Sequence, residues 1–235
     1  MRFATLRTPV AVALAATLLT GCAQSVDPIE RLGKKAAQRV HPHGPTREQP
    51  YRHWGLTAPL APAPKASPGP PARSAGPSLP PVVDHVRTHD KVVFLTYDHD
   101  AGARPDPRFA DLVRELRLPV TEFGTAQDHR PVAGLPYGAQ RTEICGNRTR
   151  PNSRLLRPPY GTYDTTTRRA AADCGVSALV LWRASTTTGT LTYARGDHHL
   201  TPGDIVQVGP ADSTARLLRG IQELGLTVGS LEDYL

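Results

Sequence analysis

The chain has 235 residues, with 28 Lys and Arg against 21 Asp and Glu and a formal charge of +7. That excess is confined to residues 1–81, where ten basic residues face only Asp27, Glu30 and Glu48; residues 82–235 hold 18 of each sign. The high isoelectric point therefore gives no argument for nucleic-acid binding by a folded domain, and no nucleic-acid partner is expected.

Residues 1–21 read as an export signal. Arg2 and Arg7 precede an apolar run from Val10, and Leu19-Thr20-Gly21-Cys22 closes it with small residues. The ending resembles the bacterial lipobox, in which the cysteine is acylated and becomes the first mature residue. An ordinary cleaved signal and a short membrane helix are the alternatives, although the run is shorter than the roughly 20 residues a span needs. Several acyl chains on Cys22 would anchor the protein stably on the extracellular face of a bacterial membrane.

Residues 22–81 read as a basic, then Pro-rich, disordered linker. Residues 23–55 are polar, and 57–81 contain nine prolines that deny the backbone a hydrogen-bond ladder. The basic charge suits an anionic membrane or wall polymer, and a simply soluble tail accounts for it equally well. His41, His43 and His53 could bind metal, though tail histidines are more often only solvated. If Cys22 carries lipid, Cys145 and Cys174 remain as a pair, either bridged or as two buried thiols.

The folded domain is expected over 82–235, enough for a real core. Lys91–Thr96 reads as a strand. Asp106 beside Pro107 starts a helix over 105–116, with Phe109, Leu112, Val113 and Leu116 on one face. A strand follows over 118–123, a helix over 135–145, and a short strand at Leu155–Leu156 leading into Arg157. Next come a helix over 164–174 and strands over 176–182 and 205–208. A helix capped by Asp212 or Ser213 carries Leu217, Leu218, Ile221 and Leu224 and ends at Gly225, before a last strand over 226–228. Strand–helix alternation at this spacing predicts an α/β fold of parallel βα units.

Two motifs carry the chemistry. An apolar strand ends in Thr96-Tyr97-Asp98-His99-Asp100, which puts ionisable groups at a strand's carboxyl end. Downstream stands Arg157-Pro158-Pro159-Tyr160-Gly161. In this order they resemble the T-[FY]-D-D-G and R-P-P-Y-G motifs of the polysaccharide deacetylases, the NodB-homology carbohydrate esterases. The resemblance implies a distorted (β/α) barrel, here incomplete, and metal-dependent removal of acetyl groups from N- or O-acetylated cell-wall or extracellular glycans. It makes Asp98 the general base, Arg157 its positioner, and the Tyr160 backbone N–H a donor to the oxyanion. Pro159 and Trp182 would line the substrate pocket, with a core role for Trp182 as the alternative.

The same resemblance exposes departures. His99 stands where the family has a metal-binding Asp, and Asp100 replaces its Gly. Past the strand at 118–123 the interval before the H-[ST]-x-x-H motif looks deleted, so that His129 aligns with its second histidine and Thr125 with its first. A divalent metal, zinc in the family, would then rest on His99, Asp100 and His129. Ser185, Thr186, Thr187 and Thr188 replace aspartates expected after Trp182. Gly209 stands in place of the histidine that acts as general acid, for which His198 or His199 could substitute. The expectation is a deacetylase-like lipoprotein of weak or lost activity, or an inactive homologue that binds glycan or occupies the wall.

Overall fold

The computed structural model describes residues 49–66, 79–100, 106–125, 130–146, 154–195 and 198–235. All of them belong to one compact unit, Glu48–Leu235. In chain order its elements are α1 (Pro50–His53), β1 (Val82–Val83), β2 (Val92–Asp100), α2 (Pro107–Leu116), β3 (Val120–Thr125), α3 (Tyr137–Gly146), β4 (Leu155–Leu156), α4 (Thr165–Asp173), β5 (Ala178–Val180), β6 (Ala184–Ser185), β7 (Thr192–Tyr193), β8 (Ile205–Val208), α5 (Ala211–Glu223) and β9 (Thr227–Gly229). No helix among the described residues is long and apolar enough to cross a membrane.

The strands form two sheets. One runs β3-β2-β8-β6-β7, with β9 also beside β2; the other runs β1-β5-β4. All pairings are parallel except β6 with β7. The chain from β5 to β6 stitches the sheets together: Leu181 N–H donates to Val83 O and Arg183 N–H to Ile205 O. Among the described residues no strand joins β3 to β4, so the barrel is distorted and open on that side. The deletion expected there falls partly on residues 126–129 and 147–153, outside the described residues.

Strand alternation sorts the core. Val92 and Phe94 of β2 pack inside with Phe123, Val180, Ile205 and Leu231. Val93 and Leu95 face outward and pack with Phe109 and Leu112 of α2 and Leu218 and Ile221 of α5. The outer side of the small sheet is covered separately, Leu179 meeting Ile144 of α3 and Ala170 and Ala171 of α4.

Helix starts follow local chemistry. Asp106 caps α2 by accepting from Arg108 N–H. Asp164 caps α4 in a capping box with Thr167. By contrast α5 begins at Ala211, with Pro210 at its cap and no side-chain cap bond, so neither Asp212 nor Ser213 has the expected role.

The expected linker is partly structure. Trp54 and Leu56 are buried in the main core. Trp54 Nε1 donates to Glu115 Oε2 at 2.7 Å, and Gln222 Nε2 donates to Ala58 O at 2.9 Å. Residues 49–66 thus form a strap across α2 and α5, and Ala63 lies near Gly229, the last residue of β9. Proline content predicted an extended backbone, but an extended backbone can still dock its few apolar side chains. Cys22, His41, His43 and the signal segment lie outside the described residues. His53 is exposed and stacks edge-on against Trp54.

Candidate functional site

The site is built where β2, β4 and β8 present polar groups to the interior. Asp98 follows Phe94 and Thr96 on the inner face of β2. Its Oδ1 accepts from Arg157 Nη1 at 2.8 Å, and its Oδ2 accepts from Gln207 Nε2 at 2.6 Å. The Arg157 side chain is 3% exposed and that of Asp98 is 20% exposed, so the pair sits at the edge of the core with the carboxylate toward solvent.

Arg157 is held on every side. Nη1 also donates to Thr96 Oγ1 at 2.9 Å, Nε to Val180 O and Nη2 to Leu181 O, both at 3.2 Å. Its guanidinium lies over the rings of Phe123, at 4.5 Å, and Trp182, at 5.3 Å. Burial lowers the Arg157 pKa from its ordinary value and Asp98 opposes that shift. A guanidinium placed this way fixes the carboxylate's orientation.

The R-P-P-Y-G turn adds strain beside it. Tyr160 adopts φ 56°, in the left-handed region that costs a non-glycine residue about 1–2 kcal/mol. Its side chain is exposed. Gly161 follows at φ 68°, and a Cβ there would come within 3.2 Å of the Trp182 ring. Pro159 and Trp182 are half-buried, and Trp182 joins Arg157 and Gly161 into one wall.

Gln207 was not anticipated. It stands on the inner face of β8 between Thr96 of β2 and Ser185 of β6. Ser185 Oγ donates to Gln207 Oε1 at 3.3 Å and also lies 2.9 Å from Thr187 Oγ1. The signal was available: alternation in Ile205–Val208 places one amide among apolar inward positions, and such a residue needs polar partners. The hydroxyl run after Trp182 supplies them.

Gly209 is explained by space. A Cβ there would lie 2.7 Å from Thr187 Cα, and its N–H donates to Thr186 Oγ1 at 3.2 Å. The backbone of the 185–187 segment fills the place that a histidine side chain would leave from. His198 and His199 are exposed, and His198 stacks on Tyr193.

The expected metal set is not brought together among the described residues. Alternation turns His99 to the side opposite Asp98, because β2 stays paired with β3 through Asp100 and Thr125. His129 and the Asp100 side chain lie outside what is described. No group of three or more His, Cys, Asp or Glu among the described residues could hold a metal ion. The described donors, a guanidinium, an amide and hydroxyls around one carboxylate, do not fit a zinc site. Cys145 and Cys174 are bridged, with Cα atoms 5.3 Å apart, and tie α3 to the end of α4.

No protein-family model matches this sequence. Over 211 residues the chain is 52% identical to an uncharacterized Streptomyces coelicolor protein, SCO4760, covering 72% of this chain and 84% of that one. The two belong to one family. Among solved structures, the Bc1960 peptidoglycan N-acetylglucosamine deacetylase superposes with a TM-score of 0.53 at 13% identity, covering 64% of this chain and 91% of that one. BA3943 of Bacillus anthracis, a CE4 family pseudoenzyme, gives 0.51 at 16% identity, covering 66% and 69%. The fold is that of the CE4 polysaccharide deacetylases, as the two motifs implied.

Proposed function

We propose that this protein binds acetylated glycan of the cell envelope with little or no hydrolysis, using an inherited deacetylase fold. One observation carries the reading: each oxygen of Asp98 already accepts a hydrogen bond, from Arg157 and from Gln207. A general base needs an oxygen aimed at the water it deprotonates. This carboxylate is partly exposed and keeps a lone pair on each oxygen, but it is clamped by two donors and, among the described residues, no metal-ligand set stands beside it to supply an activated water. Gly209 stands where the resemblance expects the general-acid histidine, and the backbone of Thr187 leaves no room there for a side chain. Supporting the choice of ligand, one neighbour in fold is a peptidoglycan N-acetylglucosamine deacetylase and another a chitin deacetylase. The half-buried Trp182 and the hydroxyls of Ser185 and Thr187 suit a neutral sugar ring.

The signal-like start ending at Cys22 supports a lipid-anchored, extracellular location within this proposal. A second reading, residual deacetylation, is favoured by the intact Asp98–Arg157 pair alone. The test incubates the full chain with zinc and an N-acetylated chitooligosaccharide, measuring binding and acetate release beside Asp98→Asn. Binding without acetate is expected. Acetate release that disappears in Asp98→Asn would establish the hydrolase instead, and absence of both binding and acetate would reject both readings.

A further inference from the structure

The structure assigns Gln207 as a built-in substitute for a cation or activating partner at Asp98, so that the site is assembled without metal. Its Nε2 lies 2.6 Å from Asp98 Oδ2, on the oxygen that Arg157 leaves open. The amide is kept from offering its oxygen by Asp98 itself, which can only accept, and Ser185 Oγ then donates to the Oε1 left on the other side. Nor can the residue shift, since its backbone sits in β8 between β2 and β6. An amide N–H is the positive end of a dipole, and a carboxylate faced by it needs no ion to balance that oxygen. The other donors complete the arrangement: Thr96 hydroxyl meets Val206 O and Arg157, and Ser185 meets Thr187. Among the described residues no group of three His, Cys, Asp or Glu could hold a metal ion, and an uncharged donor stands against the carboxylate. The inference uses the proposed site but not the identity of its ligand.

Replacing the donor by an acceptor should therefore create a cation site. In Gln207→Glu two carboxylates face each other, and a divalent ion becomes the best partner for both. Purified full-length wild type and Gln207→Glu are melted with EDTA, then with zinc, calcium or magnesium alone, and titrated calorimetrically with the same ions. At a free ion concentration ten times the dissociation constant the variant's midpoint should rise by about 3–6 °C, and wild type should not move. Adding Asp98→Asn to Gln207→Glu should abolish the response. Should Gln207→Glu fail to fold without ion, Gln207→His presents a neutral ligand at the same place and should respond to zinc. Stoichiometric zinc binding by wild type that Asp98→Asn removes would overturn the inference, as would two folded variants with no cation response. Glycan binding by wild type is scored separately, so loss of the functional reading leaves this result legible.

Discussion

Trp54 offers the most direct check on where the domain begins. Its ring is 6% exposed, lies in the main core beside α2 and α5, and is bonded through Nε1 to Glu115. Glu115 is exposed, so after Trp54→Ala water would replace that bond at little cost. The loss is then the transfer and cavity cost of a buried aromatic, about 3–5 kcal/mol. Against a total of roughly 5–15 kcal/mol this is a large fraction. For a domain of this size it corresponds to a midpoint lower by about 6–20 °C. Thermal and urea unfolding of the full chain, followed by circular dichroism, gives the number directly. Trp54→Phe retains most of the packing and should recover more than half of it. If Trp54→Ala melts within about 1 °C of wild type, the strap is not part of the cooperative unit and the reasoning fails. The same argument makes residues 82–235 alone an unstable fragment, because they leave α2 and α5 uncovered.

Three further changes probe other parts. Reducing the Cys145–Cys174 bridge, or replacing both residues by Ala, should lower stability by about 3–4 kcal/mol in the loop-entropy picture for a separation of 29 residues. Urea midpoints with and without dithiothreitol measure it, and unchanged midpoints would mean that α3 is held by packing alone. Gly209→His should destabilise by about 1–3 kcal/mol through overpacking against Thr187, and should not raise acetate release above wild type. A hydrolytic gain would show that the 185–187 segment yields. Asp164 titrates at about 2, held down by the Gly134 and then the Thr167 backbone N–H. Because its folded pKa is depressed, its contribution is present above the unfolded value near 3.9 and is lost as pH falls toward 2. Melting of wild type and Asp164→Asn should therefore differ at pH 6 and converge near pH 2; a constant gap would refute the assignment.

Much of the fold was legible in the sequence because most elements carry a simple period. β2, β3, β4, β5, β8 and β9 fall within a few residues of their expected positions, as do the four longer helices. What escaped was short or non-local. β1, β6 and β7 have two residues each, too few to show alternation; β1 and β6 pair with strands further along the chain, and β7 pairs only with the nearby β6. The strap escaped because Trp54 and Leu56 are two isolated apolar residues between a polar stretch and a proline-rich one, and only their tertiary partners reveal them. At the site, Asp98 and Arg157 were legible as motif residues. For their third partner the alternation of β8 marked Gln207 as an inward amide, but nothing in its local sequence says that it meets Asp98 on the neighbouring β2. His99 was proposed from its alignment with the family's metal-binding Asp, and strand pairing through Asp100 places its side chain on the opposite face of β2 from Asp98.

The motif pair itself has a structural reason to persist without catalysis. Arg157 reaches from the end of β4 to Thr96 and Asp98 on β2 and to the carbonyls of Val180 and Leu181, all within the interior of an open barrel. A cation buried this fully needs a carboxylate partner whether or not any water is activated. Asp98→Asn keeps an acceptor but removes the charge, and should cost about 2–3 kcal/mol. Arg157→Met should cost about 3–5 kcal/mol, since it strips Asp98 of its ion pair and Thr96 of a donor. The double change should cost clearly less than the two together, because the second substitution no longer strands a charge. Strict additivity in urea unfolding would mean that the two residues do not act as a pair, and their presence would then argue for chemistry after all. Coupling would show that these motif residues can be maintained by stability alone, so a matched motif here reports the fold's interior before it reports a reaction.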